Sequence, residues 1–281
     1  MLHRPVKPML LRASPNIPEG GYIHQLKWDG HRAILHVGRD RMSLYTRNGT
    51  SCLERYPELQ NTPLINACSA ILDGEMIVLD DDGKPCFELV MERFSARRQF
   101  ERLASAIPSH FVVYDILYLN GKDITHLPLE RRLDLLREVV MPSATISVCP
   151  SSDDGQELFK AVKQQGLEGI VSKKKGSRYR LDMRSNEWLK IKNYLYETVQ
   201  IAGIRKGNFG WLLQKDGRGI GVLEFVPPAA RQAFAQIAKQ ITASETEDFL
   251  YVRPLISCRV KFQCFTKKGF LRSPCFVEFL T

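Results

Sequence analysis

The segment Lys27-Trp28-Asp29-Gly30-His31-Arg32 puts an amine, a carboxylate, a turn glycine and a guanidinium within six positions. A lysine that ends a strand just before an Asp-Gly turn is held with its amine pointing into a cleft. Such an amine can attack phosphorus once it has lost its proton. An unperturbed lysine, with a pKa of about 10.4, is almost wholly charged at pH 7. Activation therefore asks for a shift of about three units, or ~4 kcal/mol. Neighbouring cations can supply that shift. The same six residues fit a surface lysine in a hairpin turn equally well, and the segment alone does not separate the two readings.

Five more stretches follow in order: Thr46-Arg47-Asn48-Gly49, Leu72-Asp73-Gly74-Glu75, Val113-Tyr114-Asp115-Ile116-Leu117, Leu167-Glu168-Gly169-Ile170-Val171-Ser172-Lys173 and Trp188-Leu189-Lys190-Ile191-Lys192. With the first, they resemble the nucleotidyltransferase superfamily of ATP-dependent DNA ligases, RNA ligases and mRNA-capping enzymes. Its hallmark is K-x-D-G-x-R, followed by S-R-N-G, D-G-E, an element bearing a base-stacking aromatic, E-G-(I/V)-V-x-K and W-x-K-x-K. Outside that span, Pro5-Val6-Lys7-Pro8-Met9-Leu10 is similar to the opening of bacterial ligases. Phe87–Arg93 is similar to their F-x-x-L-x-x-R segment, and Gly269–Phe276 to the G-x-L-R-x-P-x-F stretch of bacterial end-joining ligases. The resemblance covers nearly the whole chain and points to a bacterial or phage source.

The resemblance implies an ATP-dependent DNA ligase and assigns roles residue by residue. Lys27 would attack the α-phosphorus of ATP and hold AMP as a phosphoramidate. Arg32 would reach the nucleotide sugar and the incoming 5′-phosphate, and Arg47 would grip phosphates of the nick, a bidentate task suited to guanidinium. Glu75 would hydrogen-bond the ribose. Glu168, with Glu75, would hold Mg²⁺, a hard cation for which Mn²⁺ could substitute. Lys190 and Lys192, two apart on one strand, share a face. They would neutralise charge on the transferring phosphate and help activate Lys27. Tyr114 would stack on adenine, and Gln25 and Leu26 complete the nucleotide-binding set. Many ligases carry Glu at the position of Gln25. An amide carbonyl can also accept a bond from the adenine amine, without the charge-assisted strength. End-joining ligases continue past L-R-x-P-x-F with a further Arg and an Asp-x-x-Lys. These have no counterpart in Val277–Thr281, which leaves Arg272, Lys267 and Lys268 as the candidates for contacting pyrophosphate or DNA.

The elements that must position these groups are legible in outline. Tyr22–Leu26, Arg32–Val37, Met42–Thr46, Ile71–Leu79 and Phe111–Leu119 read as strands, with turns at Gly38–Asp40, Asp80–Gly83 and Asn120-Gly121. Helical patterns lie at Glu130–Val139 and Asp154–Gln165, the second capped by Ser152 or Asp153. After Asn193 come strands at Thr198–Ile204, Trp211–Gln214 and Gly219–Phe225. A helix opened by Pro227-Pro228 then runs to about Ile241, and strands at Arg259–Phe265 and Phe276–Leu280 follow. About five strands with one inserted helix suit a small closed barrel. The expected architecture is α+β, with an ATP-grasp-like adenylation domain of antiparallel sheets over residues 1–195. An OB-fold barrel follows over 196–281, with a hinge near Asn193–Glu197 that lets the barrel face first ATP and then the duplex.

The chain has 281 residues with a net charge of +9. Residues 196–281 hold 12 Lys and Arg against 7 Asp and Glu, so +5 of that excess lies in the smaller segment. A basic balance favours polyanionic partners, since each cation placed on a phosphate releases a counterion. No apolar run suits a signal peptide or approaches the ~20 residues that span a bilayer. Seven cysteines without a C-x-x-C pair fit reduced thiols buried as small hydrophobes in a cytoplasmic protein. The expected partner is nicked duplex DNA, bound by a monomer with no membrane contact, with or without an end-joining or repair protein. The rivals are an RNA ligase or capping guanylyltransferase, and a non-catalytic nucleic-acid-binding OB protein. Trp28, the T-R-N-G element and the Leu167–Lys173 stretch argue against the former, while only the basic C-terminal segment supports the latter.

Overall fold

The structure, a computed structural model, describes residues 1–60 and 63–280. The chain divides into two compact units, Met1–Lys192 and Asn193–Thr281. Among the described residues it forms three sheets, two in the first unit and one in the second.

The first sheet is built from β3 (His31–Val37), β4 (Met42–Thr46), β5 (Ala70–Ile77), β6 (His110–Leu119), β7 (Lys122–Asp123) and β8 (Ile146–Val148). Its order is β4-β3-β5-β6-β7, with β8 running parallel to β6. The central strand β5 is buried at nearly every position, because β3 and β6 flank it and the unit's main apolar core covers it. The second sheet has the order β1-β11-β10-β2-β9. Its members are β1 (Leu10–Ala13), β2 (Tyr22–Leu26), β9 (Ser151–Ser152), β10 (Gly169–Lys174) and β11 (Arg184–Lys192).

Four α-helices complete this unit among the described residues: α1 (Phe87–Ser95), α2 (Phe100–Ala106), α3 (Leu129–Val139) and α4 (Gly155–Gln165). The expected strands and the helices α3 and α4 fall within two residues of these bounds. The cap of α4 does not: Asp154, rather than Ser152 or Asp153, accepts the Glu157 amide at 2.9 Å. Ser152 instead accepts from the Asp154 backbone, so its hydroxyl is engaged one step earlier. Helices α1 and α2 are additions to the elements expected from sequence.

The second unit is one seven-stranded sheet and a helix. Strand β12 (Leu195–Arg205) pairs with β13 (Gly210–Lys215), and β13 with β14 (Arg218–Leu223). Helix α5 (Pro228–Ala238) then leads to β15 (Thr242–Glu245), β16 (Phe249–Val252), β17 (Ser257–Phe262) and β18 (Cys275–Leu280). Trp211 is fully buried, with the rings of Phe234, Phe276 and Phe279 all centred within 5.8 Å of its own. The expected count of about five strands omitted the β15–β16 hairpin. All four residues of β15, Thr-Ala-Ser-Glu, are exposed, so no apolar alternation marks it.

Of the seven cysteines only Cys52, Cys149 and Cys258 are buried; Cys86, Cys264 and Cys275 are half-buried and Cys68 is exposed. The expectation of uniformly buried thiols is corrected to that extent. No helix among the described residues is long and apolar enough to cross a membrane.

Candidate active site

The two sheets of the first unit face one another across a cavity of about 620 Å³. Residues from β1, β2, β3, β5, β6, β10 and β11 line it, together with the Thr46–Thr50 turn and Met91 and Phe94 of α1. That volume is in the ordinary range for a small-molecule site.

Lys27 follows β2 directly, and its backbone amide donates to the Gly169 carbonyl at 2.9 Å. Two glycines make this close path possible. A Cβ on Gly30 would lie 2.1 Å from the Met76 carbonyl oxygen. One on Gly169 (φ +152°) would lie 2.2 Å from that of Ile191. The Lys27 amine donates to Glu168 at 2.6 Å, and the other oxygen of Glu168 pairs with Lys192 at 3.2 Å. Burial pushes the Glu168 carboxyl up, but Lys27 and Lys192 outweigh it and hold the group below its ordinary value. Lys190 lines the cavity, and its pKa is lowered by burial and then by Lys192, Lys27 and Arg184. Sequence reasoning expected cations around Lys27; the structure adds a carboxylate held between two of the three lysines.

Gln25 is 2% exposed, lines the cavity, and has neither its amide nitrogen nor its carbonyl oxygen bonded within the chain. A buried amide left without partners is costly unless a ligand completes it. Leu26 beside it also lines the cavity. Tyr114 contributes its ring, packed with Trp28 around Ile77, Val112 and Cys149.

Lys173, the last residue of the Leu167–Lys173 stretch, is a functional candidate that the motif's resemblance leaves without a role. It is buried, donates to the Tyr114 carbonyl at 2.7 Å, and lies 4.1 Å from the centre of the Trp188 ring. Burial lowers its pKa to about 8, against the pull of Asp115 and Asp73. The available signal was the two-residue period of β10, which puts Lys173 on the cavity side with Val171.

Arg32 is held rather than free. It donates to both oxygens of Asp73, at 2.9 and 2.6 Å, to the Met9 carbonyl at 2.7 Å and to the Tyr179 hydroxyl at 3.1 Å. Glu75 stands beside it on the cavity wall, and burial raises its pKa to about 8, with Lys27 and Arg32 pulling the other way. Arg47 sits exposed in the Thr46–Thr50 turn, its amide bonded to the Arg32 carbonyl. Arg272, Lys267 and Lys268 belong to the second unit. There the amide of Arg272 donates to Cys264, and Lys267 and Lys268 are exposed in the turn before it. Among the described residues no three His, Cys, Asp or Glu side chains cluster as a metal cage.

Residues 1–192 match the family model of the ATP-dependent DNA ligase domain. The chain belongs to the ATP-dependent DNA ligase family. It is 35% identical over 274 residues to the SPbeta prophage-derived DNA ligase-like protein LigB of Bacillus subtilis, covering 96% of this chain and 97% of that protein. It is 29% identical to the multifunctional non-homologous end joining protein LigD of Pseudomonas aeruginosa, over 96% of this chain but about a third of LigD, 35%. Among solved structures, the mycobacterial DNA ligase D complexed with ATP and MES aligns with a TM-score of 0.58 at 21% identity, covering 98% and 95% of the two chains. A Lig E DNA ligase aligns with a TM-score of 0.61 at 18% identity, covering 97% and 99%. These structural likenesses establish the nucleotidyltransferase-type ligase fold. The family is one of enzymes, and the function of this member is ATP-dependent DNA ligation.

Proposed function

We propose that this ligase seals 5′-phosphate/3′-hydroxyl nicks in duplex DNA through an AMP adduct on Lys27. The observation that carries the reading is the Lys27 amine at the cavity, held by Glu168 and accompanied by Lys190 and Lys192. ATP would present its α-phosphate to Lys27 and lose pyrophosphate. AMP would pass to the 5′-phosphate of the nick, and the 3′-hydroxyl would then displace it. Each step is substitution at phosphorus, for which positioning and charge neutralisation suffice. Before attack the amine must give up a proton.

Gln25 and Tyr114 suit adenine: the amide has unused bonding capacity and the ring supplies a stacking face. Glu75, on the cavity wall, can hydrogen-bond a ribose hydroxyl. Glu168 and Glu75 offer the hard oxygen ligands that suit Mg²⁺, which binds through one or two carboxylates plus phosphates and keeps its waters. The ion would supply charge neutralisation on the triphosphate. The second unit, with its long central strand β12 and one inserted helix, fits an OB-fold over 196–281, and Arg272, Lys267 and Lys268 would contact pyrophosphate or DNA there. The enzyme would work as a monomer in the cytoplasm of a bacterial cell. Incubation with radiolabelled ATP and Mg²⁺ tests the reading: an acid-labile adduct should map to Lys27 by mass spectrometry, and an adduct on another lysine overturns it.

A further inference from the structure

Arg32 has five N–H groups, and four are spent on the protein: one each to Asp73 Oδ1, Asp73 Oδ2, Met9 O and Tyr179 Oη. One N–H of Nη1 is left for a substrate. A guanidinium that presents a single hydrogen must be aimed correctly, so the groups behind it decide how well it works. Tyr179 is the only one of those groups that bonds to all the others. Its hydroxyl donates to Asp73 Oδ2 at 2.6 Å and accepts from Arg32 at 3.1 Å and from the Met9 amide at 3.2 Å. One donor and two acceptor positions are thereby saturated.

These bonds join separate parts of the unit. Arg32 is on β3, Asp73 on β5 and Met9 just before β1, while Tyr179 lies in the connection between β10 and β11. The hydroxyl therefore ties the sheet bearing Arg32 to the segment entering the other sheet, which carries Lys190 and Lys192 on β11 and whose strand β2 leads into Lys27. The ring of Tyr179 is fixed independently, edge-on to Trp188 at 5.5 Å with the Arg132 guanidinium 5.8 Å from its centre. Buried on all sides, it has no route to substrate of its own.

We propose that Tyr179 is a positioning residue: through its hydroxyl it aims the remaining N–H of Arg32 at the phosphate that passes through the cleft. The proposal rests on the reading of Arg32 as a phosphate and sugar contact. Losing the hydroxyl would orphan one Arg32 hydrogen and the Met9 amide and remove a donor from Asp73, freeing the guanidinium to tilt.

The test uses full-length Tyr179→Phe, which keeps the ring packing, with Arg32→Lys and the double variant. Single-turnover sealing of a pre-adenylylated nicked duplex is read alongside the thermal unfolding midpoint and far-UV circular dichroism. Tyr179→Phe should be folded and seal about ten-fold more slowly, the order expected for one misplaced charge-assisted bond. In the Arg32→Lys background it should cost little more, because the group it aims is gone. Site-specific 3-fluorotyrosine at 179, which restores ring and hydroxyl, should restore the rate. Normal sealing by Tyr179→Phe, losses that multiply in the double variant, or failure of fluorotyrosine to rescue overturns the proposal. Wild-type sealing by Arg32→Lys would remove the role of Arg32 first, and this inference with it.

Discussion

Behind the cleft, Arg132 on α3 and Asp115 on β6 are wholly buried and bonded one to one, at 2.8 and 2.9 Å, with the Leu127 and Ser177 carbonyls taking further hydrogens of the guanidinium. In the cleft, Lys27, Lys190 and Lys192 share one carboxylate, Glu168. The first arrangement is electrically closed and holds β6, and so Tyr114, against α3. The second is open, with more positive charge than the protein itself neutralises. On the proposed reading, a polyphosphate would supply what is missing. Buried charge in this unit thus has two uses, separable by whether its partners are all present without ligand.

Lys27→Ala gives the largest effect on the open side of that comparison. The labelled AMP adduct should vanish entirely, while the unfolding midpoint stays close to wild type, because the side chain is partly exposed and contributes one ion pair. A variant that loses adduct and fold together would move Lys27 into the closed class.

Asp115→Ala should do the reverse. It strips the partner from a fully buried guanidinium and one acceptor from the Ile116 amide, and should cost about 3–5 kcal/mol of stability. Denaturant unfolding followed by circular dichroism measures this. A loss under about 1 kcal/mol would mean that Arg132 finds other partners, as expected of an exposed pair rather than a buried one.

The two kinds of charge were unequally legible in the sequence. Lys27, Glu168, Lys190 and Lys192 sit in short motifs with fixed spacing, and a strand's two-residue period brings two of them to one face. Arg132 is one of four residues in Leu-Glu-Arg-Arg, where helical spacing alone cannot say which arginine turns inward. Tyr179 falls in a connection with no periodicity at all, and its bonds reach partners 106, 147 and 170 residues away. Long-range contacts of that kind leave no local pattern. The strands were legible where apolar residues alternate, as in β2 to β6. β15, exposed on both faces, was missed for want of alternation, and β10, buried at five of its six positions, was missed for the opposite reason.

The excess charge should also show in DNA binding. Log affinity for a nicked duplex should fall with log salt at about −0.9 per phosphate neutralised, so several contacts give a steep line. Fluorescence anisotropy between 50 and 200 mM salt, roughly the range over which such losses develop, measures the slope. Lys267→Ala/Lys268→Ala should flatten it by about one to two phosphates' worth if these exposed lysines touch the backbone. An unchanged slope would mean that these two lysines do not touch the DNA backbone.

The last effect is read as a change with pH rather than as a loss, and it concerns Glu75, a carboxyl in the open region with no protein partner of comparable strength to that of Asp115. Burial raises its pKa to about 8, while Lys27 and Arg32 only partly offset this and Glu168 and Asp73 add to it. In the unfolded chain the group titrates near its ordinary value of about 4.3. Between those two values the folded protein holds a proton that the unfolded chain releases. The contribution to stability is therefore full below the unfolded pKa and is lost as pH rises through about 8. Glu75→Gln cannot titrate and escapes that loss. Its unfolding midpoint relative to wild type should climb steadily from about pH 5 to about pH 9, whatever constant offset the amide introduces. All other titrating groups are common to both proteins and cancel in the difference, provided the substitution leaves their surroundings intact. A difference that is flat across this window would mean that Glu75 is ionised in the folded protein with the cleft lysines as its counterions. The open region would then hold two carboxylates against its cations, and much of its contrast with the Arg132–Asp115 pair would be gone.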